Sequence, residues 1–169
     1  SFKGMYHNKI SVLSWDIETT GLEHNDDSKV LLISNTFRSA SGEITRRLFC
    51  YDDYENCADM LDDWASWVQH VNPSLIIGHN IYCYDLPFIS FCHSKYSKQG
   101  IYLGRDNKTL TFSNYESKKR IDGGRSLSYF KASIFGRQII DTMFLAFSYD
   151  AVEKKYESYG LKPIIKQEG

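Results

Sequence analysis

The sequence predicts an α/β fold: a mixed sheet flanked by helices, with a β-hairpin inserted before the last strand. Three observations carry this. Residues 9–17 alternate and then fill in with apolar side chains, as a central strand does. Cys57, Met60, Leu61, Trp64, Trp67, Val68 and Val71 follow the three, four, seven spacing of one buried helix face. Residues 101–135 lose that period and are rich in Gly, Ser, Thr and Tyr, which fits an inserted hairpin with a flexible tip at 116–125.

The elements follow in order. After the strand at 9–17, Glu23 to Lys29 is an acidic loop. Strands are expected at 30–38 and 43–51, joined by a turn at Ser39-Ala40-Ser41-Gly42. A helix is expected over 52–71, capped by Asp52 or Asp53 and stopped by Asn72-Pro73. Leu75-Ile76-Ile77-Gly78 is a short buried strand. A helix then runs over 86–99, with Pro87 tolerated in its first turn and Gly100 closing it. Residues 138–140 form a last strand. Asp141 caps a helix from Thr142 to about Lys155, and Ser158 opens a further helical turn.

The length of 169 residues fits one domain with a sizeable core, and 42% hydrophobic content fits a globular chain. No apolar run is long enough to span a membrane and no signal peptide is expected. The chain starts at Ser1 without an initiator methionine, so the expectation is a piece of a longer protein. Cys50, Cys57, Cys83 and Cys92 include no C-x-x-C pair. Free thiols in a reducing, intracellular compartment are expected rather than a zinc site. Net charge is −1, yet residues 95–137 carry ten Lys or Arg against three Asp or Glu, while the remainder carries ten against eighteen. A basic segment on an acidic body suits a polyanion held near a metal-binding acid cluster. Lys118, Lys119, Arg120 and Arg125 fit either backbone contacts to DNA or a solvated loop tip.

Asp16 and Glu18 stand two apart on the first strand, so both project from one face. They repel unless a cation lies between them, and a hard divalent ion with oxygen ligands answers that. Two acids at a solvent-exposed strand tip fit the same pair. Thr19, Thr20 and Gly21 add hydroxyls and a flexible backbone beside them. Asp85 follows a buried strand and opens a helix, where it either faces a cleft or caps the helix N-terminus.

These residues carry a family resemblance. Asp16-Ile17-Glu18 resembles the first motif of the DEDD 3′–5′ exonucleases. Asn80-x-x-x-Tyr84-Asp85 resembles the second motif in the form found in proofreading domains of family B DNA polymerases. Gly136-Arg137 to Asp141 resembles the segment after that family's hairpin insertion, and Ser158-Tyr159-Gly160-Leu161 the start of its next helix. The resemblance implies a ribonuclease-H-like sheet and a single exonuclease domain over 1–169, with residues 101–135 as the inserted hairpin. It also implies two divalent ions, Mg²⁺ or Mn²⁺, roughly 3.5–4 Å apart. Asp16 would bridge both ions, Glu18 would bind one and help orient water, and Asp85 would hold the second. Thr19, Thr20 and Leu22 would contact the terminal nucleotide, with Asn80 and Tyr84 lining the groove for the 3′ end. The implied partners are a single-stranded or frayed DNA 3′ end and a polymerase domain of the same longer chain.

The family also needs a later carboxylate in a Tyr-x-x-x-Asp or His-x-x-x-Asp setting. No segment read as a later helix carries either; Asp141 and Asp150 lie downstream in other settings. The expectation is that the chain stops before that motif, and that alone it binds metal weakly and has little nuclease activity. A stand-alone DEDD exonuclease on DNA or RNA, and a silent fold that binds single strands, are the other readings.

Overall fold

A computed structural model describes residues 10–120 and 124–145. The chain order is β1 (Val12–Thr19), β2 (Val30–Arg38), β3 (Ile44–Cys50), a 3₁₀ turn (Tyr51–Asp53), α1 (Cys57–Val71), β4 (Leu75–Gly78), a π turn (Ile81–Asp85), α2 (Leu86–Ser94), β5 (Thr111–Arg120), β6 (Ser126–Ser133) and β7 (Gln138–Asp141). A first helical turn follows at 142–145. Five strands form one mixed sheet in the order β3-β2-β1-β4-β7, and β5 and β6 form a separate hairpin. β1 runs antiparallel to β2 and parallel to β4, which places it at the centre.

The alternation in β1 sorts its two faces. Leu13, Trp15 and Ile17 are buried, while Ser14, Asp16 and Glu18 are exposed. The buried side meets α1 through Trp15 and Trp64, whose ring centroids lie 5.0 Å apart. Trp64 also donates its indole N–H to buried Asn35 at 2.9 Å, which satisfies a polar pair inside the core. The opposite side of β1 is left for the carboxylates.

Several boundaries differ from the sequence reading, each for a local reason. α1 starts at Cys57, because Tyr51–Asp53 closes a separate 3₁₀ turn and Tyr54 is extended. The cap is therefore Asn56, whose side chain accepts from the Asp59 N–H at 2.9 Å, and neither Asp52 nor Asp53 takes that role. The stop at Asn72-Pro73 stands, with Asn72 left-handed at φ 54°. α2 ends at Ser94 rather than Gln99. The expected turn at 39–42 forms, with Gly42 at φ 96°. Among the described residues of 101–135, β5 and β6 are the strands; Ile101, Leu103 and Leu110 instead bury into the core ahead of them.

The base of this insertion is fastened by arginines. Buried Arg137 donates to the Leu103 and Pro73 carbonyls at 2.8 and 2.7 Å and to Asn72 Oδ1 at 2.7 Å. Arg105 donates to the same Asn72 oxygen at 3.0 Å. Burial, and then the neighbouring Arg105 charge, lower the Arg137 pKa to about 10, so it stays cationic at neutral pH. The helix expected from 142 to 155 is described only in its first turn, and the Ser158–Leu161 segment lies outside the described residues.

Candidate active site

The site forms where β1 ends and the chain leaves β4. Asp16 and Glu18 project from the exposed face of β1. The β1–β2 register then slips between Glu18 and Thr19, because Thr19 pairs with Val30 and Leu31 is left over. Such a bulge re-aims the side chains after it. Thr19 accordingly turns toward Tyr84, and the two hydroxyls lie 2.5 Å apart. Tyr84 also donates to the Gly21 carbonyl at 2.9 Å. The end of β1 is thus tied to the turn that carries Asp85.

That turn is held from below by Asp141. Its carboxylate accepts from the backbone N–H groups of Asn80 at 2.8 Å, Tyr82 at 3.0 Å and Met143 at 3.0 Å. The bond to Met143 is the expected helix cap; the other two were not legible in the sequence. Asp141 spends both oxygens on these anchors and is not a free metal ligand. Gly78 allows the turn to fold back, since a Cβ there would stand 2.3 Å from Ile81 Cγ2 and 3.2 Å from the Trp15 carbonyl oxygen. Asn80 makes the corner at φ 59°.

Asp85 is 3% exposed. It does not cap α2, because its backbone is already helical and its side chain makes no capping bond. The π turn continues straight into the helix, so the N-cap alternative falls away. The Asp85 carboxyl pKa is pushed up to about 7 by burial, then by the negative charges of Asp16 and Asp141. Its Oδ2 is buried without a hydrogen-bond partner, as is the side-chain oxygen of Asn80. An orphaned carboxylate oxygen beside a second carboxylate is where a cation would relieve both costs.

The donor chemistry fits a hard divalent ion: Asp16, Glu18 and Asp85 offer only oxygen. Asp16 and Asp85 interact electrostatically, and Glu18 is one step along the same strand face. Among the described residues, no three His, Cys, Asp or Glu side chains are already gathered into a ligand set. The other predicted residues divide. Leu22 is 78% exposed and follows Gly21, whose carbonyl accepts from Tyr84. Thr20 closes its own loop, accepting from the Lys29 N–H at 3.0 Å and donating to the Asp27 carbonyl at 3.3 Å. All four cysteines are free.

The family model for the exonuclease domain of DNA polymerase family B matches residues 2–164. The chain belongs to that family. This exonuclease domain is 30% identical to the DNA polymerase delta catalytic subunit of Schizosaccharomyces pombe, in a 97-residue alignment covering 47% of this chain and 9% of that protein. Its fold is similar to that of the family B DNA polymerase from the hyperthermophilic archaeon Pyrobaculum calidifontis, with a TM-score of 0.61 and 18% identity. That likeness covers 90% of this domain and 19% of the archaeal chain. The mixed sheet flanked by helices is therefore the ribonuclease-H-like arrangement that the motifs imply. No helix among the described residues is long and apolar enough to cross a membrane.

Proposed function

We propose that this domain is a metal-dependent 3′–5′ exodeoxyribonuclease that proofreads for a polymerase domain in the same longer chain. The observation that carries this reading is the partnerless Asp85 oxygen, buried and facing the charge of Asp16. Asp16, Glu18 and Asp85 would hold Mg²⁺ or Mn²⁺. When bound, such ions neutralise charge at the scissile phosphodiester and lower the pKa of water toward neutrality. The chain's own residues do the positioning. Exposed Leu22 gives an apolar edge against which any terminal base can rest. Thr19 and Tyr84 fix that edge relative to Asp85. Asn80 has a buried side-chain oxygen without a partner and would line the groove for the 3′ end. Contacts of this kind tolerate every base, so selection falls on fraying: a mismatched end unpairs at lower cost. The free cysteines fit a reducing intracellular compartment.

The test combines metal binding with direction of attack. Calorimetric titration with Mn²⁺ should give a binding heat that Asp16→Ala and Asp85→Ala each remove while circular dichroism stays unchanged. With the longer polymerase-linked chain as the enzyme, a 5′-labelled single strand should be shortened stepwise from its 3′ end in Mn²⁺ and left intact in EDTA. Absence of Mn²⁺ binding, or binding unaffected by both substitutions, would overturn the assignment.

A further inference from the structure

The loop between β1 and β2 carries Leu22 but has no apolar anchor of its own. Leu22 is the one aliphatic residue between Thr20 and Lys29, and it stands 78% exposed. The shape of such a loop depends on its hydrogen bonds. Thr20 donates its N–H to the Lys29 carbonyl at 3.1 Å and closes the base. Inside, the buried Ser28 hydroxyl donates to the Glu23 carbonyl at 2.6 Å and accepts from the Asn25 N–H at 2.8 Å. Three loop carbonyls then meet one cation. Lys95 Nζ donates to the carbonyls of Ser28 at 2.5 Å, Asp26 at 3.2 Å and Asn25 at 3.4 Å.

We infer that Lys95 is a positioning residue for the nuclease reaction: by clamping this loop to the end of α2 it fixes the apolar edge of Leu22 relative to Asp16 and Asp85. The inference rests on the nuclease reading above and adds a residue that reading does not use. Lys95 is the C-cap of α2, where a lysine ordinarily serves the last carbonyls of its own helix. Here the ammonium crosses instead to a loop far earlier in the chain. It is seated against the Phe91 and Tyr96 rings at 5.7 and 6.0 Å. Hydrogen bonds from a charged donor are the stronger kind, so this clamp outweighs the loop's internal bonds one for one.

The loop is also tied at both ends to one continuous helical path. Tyr84, next to Asp85, donates to the Gly21 carbonyl at 2.9 Å at the start of that path. Lys95 holds residues 25–28 from its far end. Leu22 lies between the two ties. His24 adds a contact in the middle, stacked on Phe91 of α2 at 4.9 Å. An edge tied to a helix at two points is registered against the carboxylate at the helix start, which a free loop would not achieve. Lys95 is half-buried, so methionine can keep its stem while removing the ammonium.

The test uses the longer polymerase-linked chain. In EDTA, Lys95→Met should speed amide exchange over residues 22–28 and leave β1 and α1 unchanged. In Mn²⁺ it should leave metal affinity unchanged and lower the single-turnover rate on a saturating single strand about 10-fold, the order expected for a misplaced substrate end. Lys95→Arg should restore most of both effects. In a Leu22→Ala background, Lys95→Met should cost less than about 2-fold further, because the two residues act through one edge. Full additivity of the two losses, unchanged exchange over 22–28, or a fall in Mn²⁺ affinity would each overturn the assignment while the wild type remains an active nuclease. A wild-type chain that neither binds Mn²⁺ nor shortens the strand would remove the nuclease reading, and this role would fall with it.

Discussion

Replacing Asp85 by Asn should stabilise the metal-free domain at neutral and alkaline pH. The Asp85 carboxyl is buried, close to the charges of Asp16 and Asp141, and its pKa is raised from 3.8 to about 7. That difference corresponds to roughly 4 kcal/mol at about 1.4 kcal/mol per pKa unit. The sign follows from linkage. The folded state holds this proton more tightly than the unfolded state, so the group's contribution is fully present below 3.8. It is lost as pH rises through about 7 and is constant above that. An Asn amide avoids the ionisation cost but retains a buried polar group, which offsets roughly 1–3 kcal/mol. The net gain at pH 8 is therefore about 1–3 kcal/mol, shrinking to nothing or reversing below pH 4. Urea unfolding in EDTA at several pH values, followed by tryptophan fluorescence, measures it. Saturating Mn²⁺ should reverse the ranking at pH 8, because only wild-type Asp85 gains from a bound cation. A wild-type-to-variant difference that does not change between pH 4 and 8 would refute the reasoning.

Three other perturbations test the supports of the site. Gly78→Ala should cost roughly 1–3 kcal/mol in urea unfolding and weaken Mn²⁺ binding, since its Cβ would collide with Ile81 in the turn that carries Asp85; unchanged metal affinity would show that the turn does not set the site. Asp141→Asn should cost roughly 1–3 kcal/mol because its amide cannot accept from both Asn80 and Tyr82. It should also lower the Asp85 pKa in a carboxyl NMR titration, and an unmoved titration would count against the Asp141 charge. Replacing Lys118, Lys119 and Arg120 together by Gln should flatten the salt dependence of single-strand binding by a slope of about 2; an unchanged slope would mark them as a solvated hairpin end.

Much of this was legible because one period governed one element. The three, four, seven spacing of α1 survives in the structure: Cys57, Met60, Leu61, Trp64, Trp67 and Val68 are buried. The two-residue spacing of Asp16 and Glu18 likewise put them on one open strand face. What was missed lies where the chain departs from a regular period. The bulge at Leu31 hides in the run Val30-Leu31-Leu32-Ile33, where four apolar residues in a row mask a change of face. The π turn at Ile81–Asp85 leaves no compositional mark, so Asp85 read as a boundary residue when it is already inside a continuous helical path. Asn56 was passed over as a cap because Asp52 and Asp53 stand nearer the end of β3, and only the intervening 3₁₀ turn disqualifies them. The tertiary role of Asp141 depends on residues sixty positions away and no local pattern encodes it.

Asp141 poses a physical question that the site itself answers. A carboxylate is a costly choice for an anchor here, because its charge adds to the burden already on Asp85. An amide would be gentler to Asp85 but has only one acceptor atom, and two successive elements of the turn must be held. The two oxygens of an aspartate accept from Asn80 on one side and Tyr82 on the other, so the turn is gripped across its sharpest bend. Charge-assisted bonds of this kind are the stronger ones, which suits a turn that must hold Asp85 against the repulsion of Asp16. The same negative charge that strains the metal-free site makes the local potential more negative, which favours a divalent cation. Stiffness and cation attraction thus come from one side chain, and the cost of having it falls on the state without metal.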